Sequence, residues 1–215
     1  GNLLLYYAYG KALGGIDDLD FKVNGDAVQW EYDLENPDIA VIHLNSPLQS
    51  GESLEIHTPF KVRIPSAKIS RMGHIGQSYQ ITQWYPKPAV YDRDGWHAMP
   101  YLGQGEFYSE YGTFDVYLTI PENYTIGATG DMPKGDFDND TEVDRLDELD
   151  KKTRRYFENQ AEYPDSEKST KFPASSDISK TLHYHQENVH DFAWFADKRY
   201  KVLKDSVQLP HSGRY

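Results

Sequence analysis

The chain has 215 residues, a formal net charge of -12 and no cysteine. This length suits one large β domain or two small ones, and either can bury a sizeable core. The acidic excess argues against nucleic acid or an anionic membrane as a partner. The absence of cysteine excludes disulfides and thiolate metal sites. No apolar run approaches the roughly 20 residues that a helix needs to span a bilayer, so we expect no membrane insertion.

The first third of the chain predicts short strands joined by tight turns. Asn24-Gly25 favours the positive φ angles of a hairpin turn, and it stands between the strand patterns of residues 21–23 and 28–32. Similar patterns predict strands over residues 39–44, 53–57 and 62–64.

Residues 73–112, which we call the aromatic segment, are much richer in Trp, Tyr and Phe than their flanks. Pro86, Pro88 and Pro100 argue against an ordinary strand or helix across its middle. Aromatic rings bury large areas, so we predict a long, irregular, ordered loop that packs its own rings. Within it, residues 92–95 (DRDG) predict a reverse turn.

The second half alternates between strand patterns and a charged insertion. Phe114, Val116, Leu118 and Ile120 recur with period two, which predicts a half-buried strand over residues 113–120. In the insertion, at about residues 133–180, we predict one surface helix over residues 141–159 followed by a flexible tail over residues 161–176. Thr141 with Asp144 resembles a capping box. Other strands are predicted over residues 124–128, 181–185, 191–195 and 200–207, and the pattern as a whole predicts an all-β antiparallel sandwich with one inserted surface helix.

Several residue groups suggest chemistry without completing a site. HExxH, GxSxG, a glycine-rich phosphate loop and CxxC are all missing from the 215 residues. His183 and His185 share a strand face and could hold zinc with His190, although histidines half exposed on a strand explain them better. The acidic run from Asp136 to Asp147 lacks the glycine and the final glutamate of a calcium loop, which favours an acidic helix start. Carboxylate pairs such as Glu106 with Glu110, or Asp92 with Asp94, could serve glycosidase chemistry only at suitable separations.

Two blocks of the sequence resemble a known family. QITQWYPKPAVYDRDGWHAMPYLGQGEFYSEYGTFDVYLTIPENYTIGATGDM and the later ENVHDFAWFADKRY resemble the N-terminal domain of zinc aminopeptidases, a family that includes membrane alanyl aminopeptidase and leukotriene hydrolase. The resemblance is greatest to the Bacteroidetes-type branch. It implies a single saddle-like, non-catalytic β-sandwich domain over residues 1–215, with the catalytic domain downstream.

The same resemblance implies a role for a glutamine. In this family a Gln or Glu nine residues before the proline of a conserved motif helps to bind the free α-amino group of the substrate. Counting back from Pro86 of Tyr85-Pro86 gives Gln77, while a shifted register would give Gln80 or Gln83. A carboxamide oxygen can accept a hydrogen bond from an ammonium group. The segment from Tyr79 to Tyr85 is then expected nearest the substrate's amino end.

The resemblance also implies cofactor, partner and location. The chain itself should hold no cofactor and catalyse nothing, since zinc belongs to the absent catalytic domain of the parent metallopeptidase. The expected partners are that catalytic domain and the N-terminus of a peptide substrate. Export to the periplasm or cell surface of a Gram-negative bacterium is implied.

Two alternatives stay open. The chain could be a stand-alone β-sandwich module that binds a glycan or a protein through Trp84, Trp96 and Tyr101, since exposed aromatic rings suit such ligands. It could also be a structural domain of a homologue that has lost its zinc motif. The reading frame beyond Tyr215 would separate these alternatives from an active peptidase.

Overall fold

The computed structural model describes residues 10, 13–68, 71–100, 108–159 and 171–213. In these residues the chain forms several antiparallel sheets and one long helix. The predicted all-β class with antiparallel sheets and one helix is therefore confirmed. The contacts divide the chain into two compact units. Unit 1 comprises Gly1–Ile75, Gln80–Gly112 and Asn188–Ala193, and unit 2 comprises Gly76–Tyr79, Thr113–Glu187 and Trp194–Tyr215.

Unit 1 is built from short paired strands. Its strands are β1 (Gly15–Asp17), β2 (Lys22–Val23), β3 (Asp26–Ala27), β4 (Gln29–Tyr32), β5 (Ala40–His43), β6 (Ile56–His57), β7 (Lys61–Arg63), β8 (Gly73–Ile75), β10 (Val90–Asp92) and β11 (Gly95–His97). The antiparallel pairs are β1 with β7, β2 with both β3 and β6, β4 with β5, and β10 with β11. The predicted Asn24-Gly25 hairpin turn is confirmed, since both residues have positive φ and join β2 to β3. Phe21, Ile81, Val90 and Phe192 are its buried apolar residues.

Unit 2 contains the longer strands and the helix. Its elements are β12 (Gly112–Pro121), β13 (Thr125–Ala128), the helix α1 (Asn139–Glu158), β14 (Ser179–Val189) and β15 (Trp194–Asp197), while β9 (Ser78–Ile81) starts in it. β12 pairs with β14, and β13 pairs antiparallel with β15 in the register Thr125↔Asp197. The predicted alternation in β12 is confirmed, because Phe114, Val116, Leu118 and Ile120 are half-buried and their neighbours are exposed from Thr113 to Thr119.

The aromatic segment differs from its prediction. It is not one irregular loop, because it contains β8, β9, β10 and β11. Its prolines fall outside these strands, so the strands keep every backbone donor that their ladders need. The predicted turn is confirmed where Asp92↔Gly95 closes the β10–β11 hairpin. The strand predicted over residues 200–207 is wrong, since no strand forms there.

The helix forms close to where it was expected, but its details differ. Asp138 is the N-cap residue without a side-chain capping bond, so the predicted capping box is wrong. The helical residues that are buried are polar, namely Asn139, Glu142 and Thr153. Along the helix, Asp150 and Arg154 form an i,i+4 ion pair at 2.9 Å. Two other acidic residues have different partners: Glu148 pairs with Lys151 and Asp147 with Lys204.

A buried ion-pair network fastens α1 to the strands of unit 2. The Glu142 carboxylate, 1 % exposed, accepts hydrogen bonds from Lys180 Nζ at 2.6 Å and from Arg145 at 2.7 and 2.8 Å. Lys180 and Arg145 both also donate to the Tyr124 carbonyl oxygen. Asn139 extends the network by exchanging hydrogen bonds with the His183 backbone. The charged insertion is therefore anchored by polar contacts to β14 and to Tyr124, the residue before β13.

Candidate functional site

Gln77, the glutamine that the family resemblance singles out, takes part in a hydrogen-bond network. Gln77 follows Gly76 in the turn between β8 and β9, and its side-chain oxygen accepts a hydrogen bond from the ammonium group of Lys198. That ammonium also donates to the Pro173 carbonyl oxygen and to Ser175 Oγ, the latter at 3.2 Å. It stands 5.0 Å from the centroid of the Tyr124 ring. An alkylammonium has three N–H donors, and here three neutral oxygens receive them.

We call these four acceptor groups the ammonium cage: Gln77 Oε1, Pro173 O, Ser175 Oγ and the Tyr124 ring. Tyr124 is buried, which raises the pKa of its hydroxyl, and Ser175 is hydrogen-bonded to that hydroxyl. The aromatic wall is thus held rigidly. Cation–π contact adds to the three hydrogen bonds in stabilising a positive charge at this point. The cage suits a primary ammonium group.

Residues 171–176, which supply two cage oxygens, are held against the rest of unit 2. The Arg199 guanidinium lies 3.6 Å from the centroid of the Phe172 ring, and that ring covers Gly76, where an added Cβ would come within 2.6 Å. Asn123 donates to the Ala174 carbonyl at 2.8 Å and accepts from the Ser176 amide at 3.1 Å. The flexible tail predicted over residues 161–176 is therefore wrong for residues 171–176, and residues 161–170 lie outside the described residues.

The other predicted substrate-binding residues have their own contacts. The Tyr79 ring lies 6.1 Å from the Tyr124 ring, beside the cage. Gln80 is half-buried in β9, and Gln83 has a positive φ of 51°. The Tyr85 hydroxyl donates to Asp191 at 2.9 Å, and burial together with that carboxylate raises the pKa of Tyr85. Of these predicted residues, Gln77 and Tyr79 belong to unit 2, while Gln80, Gln83 and Tyr85 belong to unit 1.

Two residues that sequence reasoning missed organise these groups. Lys198 is 121 positions from Gln77, and only the fold reveals it as a partner. Asp191 accepts from Tyr85 and from Lys87, at 2.9 and 3.1 Å, and its carboxylate also receives the Phe192 amide at 2.9 Å. Both lie in ENVHDFAWFADKRY, one of the two blocks that carry the family resemblance.

A second cluster joins β12, β14 and the segment before α1. His183 is 9 % exposed, and its two ring nitrogens face carboxylates: Asp136 at 2.8 Å and Asp115 at 2.9 Å. His185 Nδ1 binds the same Asp115 oxygen at 2.8 Å. The Tyr117 ring stacks on His183 with centroids 4.4 Å apart. Because both ring nitrogens must donate, this geometry favours the charged imidazolium.

The pKa shifts agree with this geometry. Burial opposes a charge on His183, but its hydrogen bonds to Asp136 and Asp115 outweigh burial and raise the pKa of the ring. Hydrogen bonds from His185 and His183 lower the pKa of Asp115. An open pocket of about 350 Å³ lies beside His185, lined also by Asp131, Pro133, Gln186 and Glu187.

Several residues suggested for a metal site or a carboxylate pair make other contacts within the chain. Among the residues that the structure describes, no three His, Asp or Glu side chains are grouped as a metal would need. His190 contacts the Tyr111 ring rather than sharing the carboxylates of His183 and His185. In the acidic run, Asp136 binds His183, and Asp138 accepts from the Thr181 amide at 2.7 Å. Asp92 binds His97 at 2.9 Å, and Glu106 lies outside the described residues.

Of the three aromatic residues predicted to bind a glycan or a protein, the structure describes two, and these two differ in exposure. Trp84 donates its indole N–H to the Phe192 carbonyl at 3.1 Å and is half-buried. Trp96 is 70 % exposed and lies across the β10–β11 hairpin from Tyr91, with ring centroids 4.9 Å apart. Tyr101 lies outside the described residues. One of the three predicted ligand-binding rings is therefore shown to be exposed.

Comparison of the chain with protein-family models, with curated proteins and with solved structures finds no match in any of the three. The resemblance to zinc aminopeptidases therefore stays a prediction. In the part of the chain that the structure describes, no helix is long and apolar enough to cross a membrane.

The His183 cluster predicts a pH-dependent stability. Because the folded pKa of His183 is raised, its contribution is complete below the unfolded value of about 6.5 and is lost as the pH rises through the folded pKa. The free energy of unfolding that His183→Gln loses should therefore be largest at about pH 6, below the unfolded pKa. It should become smaller as the pH is raised to about 9. Urea unfolding across this range measures it.

The matched control is His57→Gln, at an exposed histidine of β6. This variant should keep the pH dependence of the wild type. A constant difference between His183→Gln and wild type at all pH values would contradict a charged ring between Asp115 and Asp136.

Proposed function

We propose that this chain is the non-catalytic N-terminal β-sandwich domain of a zinc aminopeptidase-like metallopeptidase, in which Gln77 binds the α-ammonium group of a peptide substrate. The observation that carries the proposal is the hydrogen bond from a primary ammonium group, that of Lys198, to Gln77 Oε1. This contact supports the proposal because it shows that Gln77 Oε1 can accept a hydrogen bond from a primary ammonium group. The two sequence blocks that resemble the family support the same function.

In the proposed parent enzyme, the catalytic domain and this domain would have separate roles. The downstream catalytic domain would hold zinc, which activates water for attack on the first peptide bond. Gln77 would fix the amino end of the substrate and so place that bond at the metal. Tyr79, whose ring lies 6.1 Å from the Tyr124 ring, would line the site beside Gln77.

We expect Gln77→Leu in the full-length parent to lower kcat/KM on aminoacyl substrates by about 10- to 150-fold. Loss of a hydrogen bond to a charged group weakens binding by about 1.5–3 kcal/mol, which corresponds to this range. Steady-state kinetics on several aminoacyl reporters measure it. Gln80→Leu and Gln83→Leu are the matched controls and also test the register. If Gln77→Leu keeps the wild-type kcat/KM on every reporter, Gln77 does not anchor the amine.

A second candidate function is favoured by one observation. Tyr91 and Trp96 are 66 % and 70 % exposed and adjacent, as expected of a platform for a sugar ring. In a stand-alone binding module this hairpin would carry the affinity. Saturable quenching of Trp96 fluorescence by a soluble oligosaccharide would favour the module, whereas an HExxH motif in the reading frame beyond Tyr215 would favour the peptidase domain.

A further inference from the structure

We propose that Lys198 is an internal ligand of the ammonium cage, so that the chain blocks its own amine-binding site until Lys198 leaves. As a statement about regulation, this inference rests on the proposed function of Gln77. As a statement about binding, it assigns unit 2 a site for primary ammonium groups that holds a resident cation. The site is defined by Gln77 Oε1, Pro173 O, Ser175 Oγ and the Tyr124 ring.

The contacts of Lys198 differ from those of an ordinary surface lysine. Its ammonium donates to three neutral oxygens, none of which belongs to a carboxylate. A carboxylate stands one residue away, but Asp197 is bound to Arg199, with Arg199 Nη2 at 2.8 Å and its backbone amide at 2.8 Å. The arrangement therefore selects for the geometry of three N–H donors rather than for the nearest opposite charge.

The cage does not depend on Lys198 for its shape. Asn123 holds Ala174 and Ser176 on either side of Ser175 through two backbone hydrogen bonds. Phe172 is held between Gly76 and Arg199. Tyr124 is fixed by its burial in unit 2. Removal of the lysine side chain should thus leave the four acceptor groups in place and without their cation.

A tethered lysine is a strong competitor for small amines but not for a larger ligand. Because Lys198 is part of the chain, its effective concentration at the cage is of the order of millimolar or above. A peptide amine brings additional contacts from the rest of the peptide, and these can displace the lysine. If Lys198 fills the cage about nine-tenths of the time, it raises the apparent dissociation constant of a competing amine about tenfold.

The test uses the 215-residue chain and methylammonium as the probe. In Lys198→Met, methylammonium should shift the side-chain amide resonance of Gln77 saturably, while the wild-type chain should respond with an apparent dissociation constant about tenfold higher. Ligand efficiency limits this two-atom cation to a Kd of about 6 mM or weaker, so the titration must extend well above that concentration. Tetramethylammonium has the same charge but no N–H donor and should not reproduce the shift.

Two further variants guard the interpretation. Lys198→Gln keeps a polar side chain at the position and should also gain the methylammonium response, which covers the case in which Lys198→Met fails to fold. Lys152→Met, on an exposed position of α1, is the matched loss of a lysine and should respond as weakly as the wild type does. Absence of a saturable response in both Lys198 variants, or an equal response to tetramethylammonium, would overturn the proposal.

Kinetics of the parent separate this inference from the proposed function. In the full-length protein, Lys198→Met should lower KM for aminoacyl substrates by about tenfold, the factor that nine-tenths occupancy implies. If Gln77→Leu leaves kcat/KM unchanged while the Lys198 variants bind methylammonium, the proposed function fails and the cage stands. If Gln77→Leu lowers kcat/KM but neither Lys198 variant binds methylammonium, the internal ligand is rejected and the amine anchor stands.

Discussion

Glu142→Gln should lower the free energy of unfolding by about 3–5 kcal/mol, the cost of leaving a buried charge without its partner. Glu142 is 1 % exposed, and the Lys180 ammonium that it binds is 8 % exposed. The neutral carboxamide would leave that ammonium and the Arg145 guanidinium with the Tyr124 carbonyl as their remaining main-chain acceptor. Urea unfolding monitored by far-UV circular dichroism measures the loss.

The loss of unfolding free energy in Glu142→Gln should become smaller as the pH rises. Burial already lowers the pKa of Lys180, in opposition to its hydrogen bond with Glu142. Without the carboxylate the pKa of Lys180 falls further, so the unfolded chain binds more protons than the folded one. Stability of the variant therefore rises with pH, and its difference from wild type should narrow as the solution becomes alkaline.

Two controls identify the mechanism. Glu148→Gln, on the same helix but with a side chain 72 % exposed, breaks only a surface pair with Lys151 and should cost less than about 1 kcal/mol. The double variant Glu142→Gln/Lys180→Met removes both charges and should recover most of the loss. Equal, small effects of Glu142→Gln and Glu148→Gln would show that the network contributes no more than a surface pair.

This network also shows why the packing of the helix could not be predicted. Sequence placed α1 within two residues of its observed ends, because charge pairs and local propensity act within one or two turns. The charged composition of the insertion predicts a surface helix. The buried helical residues are instead polar. The partners of Glu142 and Asn139 lie at Lys180 and His183, which no local pattern connects to the helix.

Local signals predicted the strands well where a turn or an alternating face defined them. Asn24-Gly25 and the period-two face of β12 are examples. They are wrong for the aromatic segment, where the prolines argue against a strand across the middle, because β10 and β11 fit between Pro88 and Pro100. Of the candidate site, sequence supplied Gln77. The other cage groups and Lys198 could not be predicted, because only the fold of unit 2 brings them to Gln77.

Phe192→Ala should lower the free energy of unfolding by about 3–5 kcal/mol, as expected for truncating a fully buried aromatic ring. Phe192 is 0 % exposed and is the largest fully buried side chain among the described residues. Its backbone carbonyl accepts the Trp84 indole N–H at 3.1 Å, and the preceding Asp191 binds Tyr85 and Lys87. A cavity here would loosen the anchor of residues 84–87, so near-UV circular dichroism should change along with stability.

Phe195→Ala is the matched control, since it removes the same ring three positions later from a site that is 38 % exposed. A partly exposed ring buries less apolar area than a fully buried one, so its removal should cost only about 1–2 kcal/mol of unfolding free energy. Phe192→Leu retains most of the volume and should recover most of the stability. If Phe192→Ala and Phe195→Ala cost the same, then the short segment Asn188–Ala193 does not hold residues 84–87 in place.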